Sequence, residues 1–254
     1  MPLIILAVGI LFLFFLIGIT ADIFAEEDEA GGQLLDKIVD SAGQKGTGRW
    51  TSIEALRQGV NISLITAACN ARVMSNLLSE RQELGRIIQP ACAETKIDGD
   101  FVEMVRQSLY LGKIAAYAQG FALYRSADVH YGWQLDLGQI AAIFRAGCII
   151  QADFLNRITA AFTANPQLDN LLQDTFFAGK VNENLAALRQ TVAHAVQLGI
   201  PVPALACAVE YIDALRGTPL GANLIQAQRD YFGAHTFKRI DKEGSFHHEW
   251  QKNF

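Results

Sequence analysis

Apolar residues recur at helical spacing through most of the chain. From Phe101 to Tyr124 they nearly surround the predicted helix, which is typical of a helix at the centre of an all-α fold. Asp100 is its predicted N-cap, with Glu103 three residues on. Further helices are predicted over Gln33–Ala42, from Thr51 or Ser52 to Gly59, and over Ile62–Gln82, Leu137–Ala146 continuing to about Thr163, Gln167–Leu198 as one or two helices, Ala204–Arg216 and Ala222–Phe232. No run alternates as a strand would, so the predicted fold class is all-α, with an extended C-terminal tail.

The first 21 residues carry no charged side chain, and Leu3 to Ile19 is almost wholly apolar. A secretory signal should begin with a basic region, but no Lys or Arg precedes Lys37. Three interpretations remain open at this point. The segment is a membrane anchor, a helix buried in a soluble fold, or the start of a truncated or frame-shifted gene product.

Composition narrows the function classes. The chain has 254 residues, 51% hydrophobic and 19% charged, which excludes global disorder. The net charge of −5 and the lack of basic runs argue against nucleic-acid binding. The four cysteines are far apart, which argues against a zinc site or a disulfide scaffold. No G-x-G-x-x-G motif occurs, so no dinucleotide-binding unit is predicted.

Two candidate binding features lie in the first third of the chain. Lys45-Gly46-Thr47-Gly48 combines exposed backbone N–H groups, a hydroxyl and a positive charge, which together suit a phosphate ester. A turn without function is the alternative. Arg72 lies among small and apolar residues of a predicted helix, so it either extends to the surface or pairs with a buried anion.

A third candidate is the segment 223–237, which is rich in hydrogen-bonding and aromatic side chains. Arg229 suits a bidentate phosphate contact, and His235 can donate a hydrogen bond to an oxygen. The alternative is an amphipathic helix with an Arg229–Asp230 salt bridge. His247, His248 and Glu249 are residue types that bind metals, but no further ligand is apparent, so no metal site is predicted.

Several segments together resemble one family. They are Ile38–Trp50 (IVDSAGQKGTGRW), Asn223–Phe237, Tyr117–Phe121, Phe144–Ile150, and Phe246-His247 with Trp250. This pattern is similar to the C-terminal, all-helical half of decarboxylating 6-phosphogluconate dehydrogenases. The resemblance begins near Leu16 and runs to the end. It implies an apolar segment 1–15 outside the family, a helical domain over 16–237 and a tail over 238–254.

The resemblance implies an oxidoreductase of the pentose phosphate pathway. That reaction converts 6-phosphogluconate and NADP to ribulose 5-phosphate, carbon dioxide and NADPH. The family's coenzyme domain binds NADP, and its catalytic lysine and glutamate lie just beyond that domain. Neither part is in this sequence, so we expect no catalytic residue here, no cofactor bound by this chain alone, and no turnover.

The family's phosphate-binding residues do have counterparts. Lys45 and Arg72 are expected to contact the substrate phosphate within one subunit, and Gly46, Thr47 and Gly48 to form the supporting loop. A sugar phosphate carries nearly two negative charges, and converging cations offset the cost of desolvating it.

Arg229 and His235 match family residues that reach into the partner subunit's site. The resemblance therefore implies an isologous homodimer formed through the helical domain and the tail. We expect 6-phosphogluconate and a second copy as partners, no nucleic acid, and a cytoplasmic location.

Two other functions stay open. One is a stand-alone helical module that dimerises or binds sugar phosphates without catalysis, and the other is a membrane-anchored version of it through residues 1–20. The abrupt change near residue 16 favours a truncated gene product over an anchor.

Overall fold

The described residues of the chain are almost entirely helical. The structure is a computed structural model that describes residues 15–43, 45–89, 99–145, 152, 154–217 and 219–250. Its α-helices are α1 (Phe15–Ala25), α2 (Thr47–Gln58), α3 (Ser63–Asn76), α4 (Leu78–Ile87), α5 (Phe101–Tyr131), α6 (Leu137–Ile143), α7 (Leu155–Ala164), α8 (Thr175–Gln197), α9 (Pro203–Leu215) and α10 (Ala222–Gly233). Short 3₁₀ turns cover Leu34–Lys37 and Leu171–Gln173. In these ranges β-pairing is limited to the isolated bridges Glu27–Gln33 and Phe237–Phe246, so the all-α prediction is confirmed.

The chain divides into two compact units, residues 1–211 and 212–254. The first holds α1 to α8 and most of α9, and the second holds α10 and the tail. The domain boundaries at 15/16 and 237/238 stay predictions.

Helix α5 is the centre of the first unit. Its N-terminus is capped as predicted, because Asp100 Oδ1 accepts a hydrogen bond from the Glu103 N–H at 3.1 Å. Leu111, Ile114 and Ala118 of this helix are fully buried. The helix packs along α8 and also contacts α2, α3 and α6. Burying a 31-residue helix on several sides is the arrangement that its continuous apolar pattern predicts.

Two polar side chains of α5 are fully buried, and each bonds to another helix. The Ser108 hydroxyl lies 2.7 Å from that of Thr191 on α8. Gln119 reaches the start of α3, where its Oε1 accepts from the Leu64 N–H at 3.1 Å. Its Nε2 donates to Ser63 Oγ at 3.2 Å. Gln119 therefore satisfies a backbone donor that the first turn of α3 leaves unpaired.

Four local predictions are wrong. The helix predicted over Leu137–Ala146 and on to about Thr163 ends at Ile143, where Phe144 and Arg145 form a turn, and α7 begins only at Leu155. Only Leu34–Lys37 of the predicted helix 33–42 is helical. Ile38 has an extended backbone and Val39 is exposed, because Asp40 and Ala42 are bonded to side chains of α4 and α3. The predicted helix 62–82 breaks at Leu77 into α3 and α4. Helix α2 begins at Thr47, with Gly46 as its N-cap, rather than after Thr51 or Ser52.

Residues 1–14 and 146–151 lie outside the described residues, so the predictions made for them are not compared with the structure. The first range includes all but one residue of the apolar segment 1–15. Among the helices that the structure does describe, none is both long and apolar enough to cross a bilayer.

We predict that Gln119→Leu destabilises the protein by about 1–3 kcal/mol, because it leaves the buried Leu64 N–H without its acceptor. Thermal unfolding followed by circular dichroism should show a lower Tm. Gln139→Leu is the matched control, since Gln139 is exposed on α6. It should change stability by no more than about 0.5 kcal/mol. Equal effects of the two substitutions would contradict the capping role.

Candidate functional site

The segment before α2 is held by polar side chains of α3 and α4. Arg81 Nη2 lies 2.5 Å from Asp40 Oδ2, and Arg81 Nη1 donates to the Asp40 carbonyl at 3.1 Å. Ser41 Oγ donates to Asn76 Oδ1 at 3.0 Å. The Ala42 N–H donates to Ser75 Oγ at 3.0 Å. These contacts fix the path of the chain immediately before Lys45.

Arg72 on α3 takes part in the same support. Its Nε donates to the Ala42 carbonyl at 3.0 Å, and its Nη2 donates to the Gly43 carbonyl. The side chain is exposed, as the first of its two predicted alternatives requires, and its contacts are main-chain carbonyls and not a buried anion. The contacts between described residues use Nε and Nη2 and do not involve Nη1. The outer edge of the guanidinium thus remains able to donate to an anion.

The predicted phosphate loop forms the start of α2. Gly46 is the N-cap with φ 109°, a left-handed conformation that side chains rarely adopt. Gly48, in the first turn, approaches Cys69 of α3 so closely that an added Cβ would overlap Cys69 Sγ. Cys69 and Arg72 are three residues apart and therefore share a face of α3. Because one contacts Gly48 and the other Gly43, the loop lies along that face.

This arrangement collects positive charge and free N–H groups. The first N–H groups of a helix have no partner within the helix and carry the positive end of its dipole. Lys45 and Thr47 flank Gly46 and are exposed. Together with Arg72, they give a surface that can bind a phosphate ester through charge-assisted hydrogen bonds. The structure thus places Arg72 against the residues just before the loop 45–48, which begins with Lys45.

An apolar cavity of about 830 Å³ lies next to this loop in the first unit. Its lining includes Trp50, Tyr117, Phe121, Tyr124 and Trp133. At its edge Glu54 accepts a hydrogen bond from the Tyr131 hydroxyl at 2.6 Å, and this bond lowers the pKa of Glu54. Lys113 and Glu54 also line the cavity, but most of the lining is aromatic or aliphatic and compensates poorly for the desolvation of a phosphate. The polar loop, rather than this cavity, is therefore the candidate phosphate site.

The second unit is built around a buried carboxylate. Asp230 on α10 is fully buried and accepts four hydrogen bonds from side chains and backbone groups. The Thr236 N–H and His247 Nδ1 contact its Oδ1 at 3.0 and 2.9 Å. The His248 N–H and Trp250 Nε1 contact Oδ2 at 3.1 and 2.8 Å. The predicted tail is thus bonded to α10 and does not extend freely from it.

The Asp230 carboxyl is ionised at neutral pH. Burial by itself would raise the pKa of its carboxyl, but the hydrogen bonds from His247, His248, Trp250 and Thr236 outweigh burial. They hold the pKa well below its usual range. The proposed Arg229–Asp230 salt bridge is absent from the contacts of the described residues, because Asp230 turns towards the tail and Arg229 contacts Gln226 instead.

His235 lies in a strained turn beside this carboxylate. Ala234 and Thr236, on either side of it, both have left-handed backbones, with φ 50° and 59°. Such conformations cost about 1–3 kcal/mol each and persist only where the surroundings enforce them. Here Asp230 bonds the Thr236 N–H, and Gln226 Nε2 donates to the Thr236 carbonyl at 2.6 Å. Gln226 Oε1 also accepts from Arg229 Nη1 at 3.3 Å, so one side chain bonds both Arg229 and the residue that follows His235.

The histidines of the tail do not form a metal site with their neighbours. His247 is occupied by Asp230, and its Nε2 is 3.6 Å from Glu249. Within the part of the chain that the structure describes, no three His, Cys, Asp or Glu side chains are placed to hold a metal ion.

Sequence reasoning missed Asp230, Gln226 and Gln119. The sequence indicates Asp230 only as a salt-bridge partner of Arg229, because its donors at 247–250 lie about twenty positions away. Its one sequence signal was an acidic residue inside an otherwise aromatic and amide-rich segment. Gln119 stood out equally, as a polar side chain on a helix that is apolar on nearly every side.

We predict that Gly48→Ala destabilises the protein by about 1–3 kcal/mol, because the added methyl group overlaps Cys69 Sγ. The double variant Gly48→Ala/Cys69→Ala should recover most of that loss, since removing the sulfur makes room. Denaturant unfolding of both variants and of Cys69→Ala alone tests this. If adding Cys69→Ala to Gly48→Ala recovers none of the lost stability, the loop does not lie against α3 as described.

We also predict that Asp230 contributes stability that is lost in acid. Because its folded-state pKa is depressed, the contribution is complete above the unfolded value of about 4 and declines as the pH falls below it. The Tm of wild type should exceed that of Asp230→Asn by about 5 °C at pH 6, and the gap should shrink at pH 3. Asp241→Asn, at an exposed tail carboxylate paired with Arg239, is the control and should show a much smaller gap. A gap that grows in acid would contradict the assignment.

The sequence matches the family of the 6-phosphogluconate dehydrogenase C-terminal domain over residues 11–250. It is 53% identical over 237 residues to the decarboxylating 6-phosphogluconate dehydrogenase of Escherichia coli K12, covering 93% of this chain and 51% of that protein. It is 48% identical over 241 residues to the NADP(+)-dependent, decarboxylating enzyme of Bacillus subtilis 168, covering 94% and 51%.

A solved structure agrees. The Plasmodium falciparum 6-phosphogluconate dehydrogenase, studied in its apo form and with its cofactor NADP+ and its substrate 6-phosphogluconate, matches with a TM-score of 0.87 at 38% identity. The match covers 93% of this chain and 51% of that one, so the chain spans about half the length of the relatives it matches. The chain belongs to the 6-phosphogluconate dehydrogenase family, whose C-terminal, all-helical domain it carries.

Proposed function

We propose that this chain is the substrate-binding and dimerisation part of a decarboxylating, NADP-dependent 6-phosphogluconate dehydrogenase. The single observation that carries the proposal is the loop 45–48 held along α3, with Arg72 bonded to the carbonyls just before it. In this proposal Lys45 and the outer edge of Arg72 bind the substrate phosphate. The N–H groups at Gly46, Thr47 and Gly48 complete the set.

The second part of the proposal concerns a second copy of the chain. Arg229 and His235 of one subunit act on the site that Lys45 and Arg72 of the other subunit form. Both side chains are exposed, as such a role requires. Several apolar residues of α10 are exposed as well, including Leu224, Ile225 and Phe232, which is 71% exposed. An exposed apolar face of this kind supports an isologous dimer in which a second subunit covers it.

NADP does not fit the described residues of this chain. A dinucleotide site of the Rossmann type needs a strand, a glycine-rich turn and a helix, whereas the described residues form helices and isolated bridges. We therefore assign NADP binding and the proton transfers of the reaction to the other half of the complete enzyme. The chain's own residues bind and orient the phosphate end of the substrate. The proposed location is the cytoplasm.

The 254-residue chain should bind 6-phosphogluconate more tightly than gluconate, which lacks the phosphate, when both are titrated calorimetrically. Lys45→Ala and Arg72→Ala should each weaken 6-phosphogluconate binding about 10–100-fold, because each removes charge-assisted hydrogen bonds. Arg57→Ala is the matched control, an exposed arginine of α2 whose Glu54 contact is 3.7 Å, and it should leave affinity unchanged. Equal affinity for 6-phosphogluconate and gluconate would overturn the proposed phosphate site.

Activity needs a separate test. We expect no NADPH formation from the chain alone and recovery of activity when a family member's N-terminal half is added, followed by absorbance at 340 nm. Binding of 6-phosphogluconate without recovery would favour the non-catalytic sugar-phosphate-binding module instead.

A further inference from the structure

The turn that carries His235 has little apolar support of its own. His235 is exposed, and its ring lies edge-on to Phe232 with centroids 6.0 Å apart. An added Cβ at Gly233 would lie 2.8 Å from that ring, so the turn is also sterically tight. The left-handed backbones at Ala234 and Thr236 make the free turn unfavourable. Something outside the turn must therefore hold it.

Asp230 supplies that hold. Its Oδ1 accepts from the Thr236 N–H at 3.0 Å, and its main-chain carbonyl accepts from the Ala234 N–H at 2.9 Å. The residues on both sides of His235 are thus bonded to one aspartate. The same carboxylate binds His247, the His248 N–H and Trp250, which join the tail to the turn.

Asp230 is fully buried, and each of its oxygens faces a group that can only donate: the Thr236 N–H at Oδ1, and the His248 N–H and Trp250 Nε1 at Oδ2. The site therefore requires an acceptor with two oxygens. An amide in its place would direct an NH₂ group at donors. The geometry is therefore specific for a carboxylate, and not merely for a polar side chain of that size.

We propose that Asp230 is a positioning residue, whose buried carboxylate fixes the 234–236 turn against the tail and so sets the orientation in which His235 and Arg229 meet a phosphate. This inference rests on the proposed function, because it assigns Asp230 to the same substrate contacts. Gln226 assists from the other side, since it bonds both the Thr236 carbonyl and Arg229.

A purely structural role in docking the tail would give a different pattern. Trp250→Phe removes one donor from the tail and leaves the bonds to the turn intact. Asp230→Asn disturbs both. Gln226→Leu loosens the turn and leaves the buried carboxylate unchanged. It provides the test of the turn if Asp230→Asn does not fold. Asp241→Asn is the matched control, an exposed aspartate in the same unit.

The first experiment needs no substrate. The ring-proton resonances of His235, assigned with His235→Gln, report its place beside the Phe232 ring. They should shift towards random-coil values in Asp230→Asn and in Gln226→Leu, and stay near wild type in Trp250→Phe and Asp241→Asn. Exchange of the Thr236 amide should rise about tenfold or more in Asp230→Asn. Unchanged His235 resonances in both Asp230→Asn and Gln226→Leu would overturn the inference.

The second experiment links the turn to binding. The Kd for 6-phosphogluconate should rise about tenfold in Asp230→Asn and Gln226→Leu, while Trp250→Phe and Asp241→Asn stay close to wild type. Equal losses in Trp250→Phe and Asp230→Asn would overturn positioning of the turn and assign the effect to tail docking. If wild type itself does not bind 6-phosphogluconate, the proposed function fails, whereas the substrate-free resonances still decide whether Asp230 orients His235.

Discussion

Gln119 is buried in the middle of α5 and must find partners for both ends of its amide, and it finds them at the start of α3. This contact joins the central helix to the helix that carries Cys69 and Arg72. The loop before α2 then lies along α3, through Gly48 against Cys69 and through the Arg72 contacts with Ala42 and Gly43. The position of the candidate phosphate site thus depends on the satisfaction of a buried polar group in the core.

Hydrogen bonding of a buried polar group also determines the structure of the second unit. A unit of some forty residues has little apolar interior, and Asp230 acts as the anchor that its turn and tail share. An unpaired buried carboxylate would be very unfavourable, so the four donors must gather around it. That requirement orders residues 236 and 246–250, which have little regular secondary structure.

Both units therefore present cations or donors at the surface on backbone segments that other residues hold rigid. In the first, Arg72 uses part of its guanidinium for the loop and keeps an edge for an anion. In the second, Gln226 connects Arg229 to the turn of His235. Ligand-binding side chains that are fixed before binding lose less conformational entropy when the ligand arrives. The cavity beside Trp50 is lined mostly by apolar residues, and the candidate phosphate loop 45–48 is not part of its lining.

The sequence by itself determined the all-α fold, the capped central helix α5, helices α9 and α10 nearly to the residue, and the loop Lys45–Gly48 as a candidate site. These features depend on contacts within one helical turn or on residue types, so the local pattern carries them. The tertiary structure alone decided that 33–42 is mostly not helical, that Arg72 supports the loop, and that Asp230 binds the tail. Each of those outcomes depends on partners about twenty to forty positions away, as in the contacts Arg72–Ala42 and Arg81–Asp40. Hydrogen-bond partners at that separation depend on which segments pack together, and the local hydrophobic periodicity does not predict this packing.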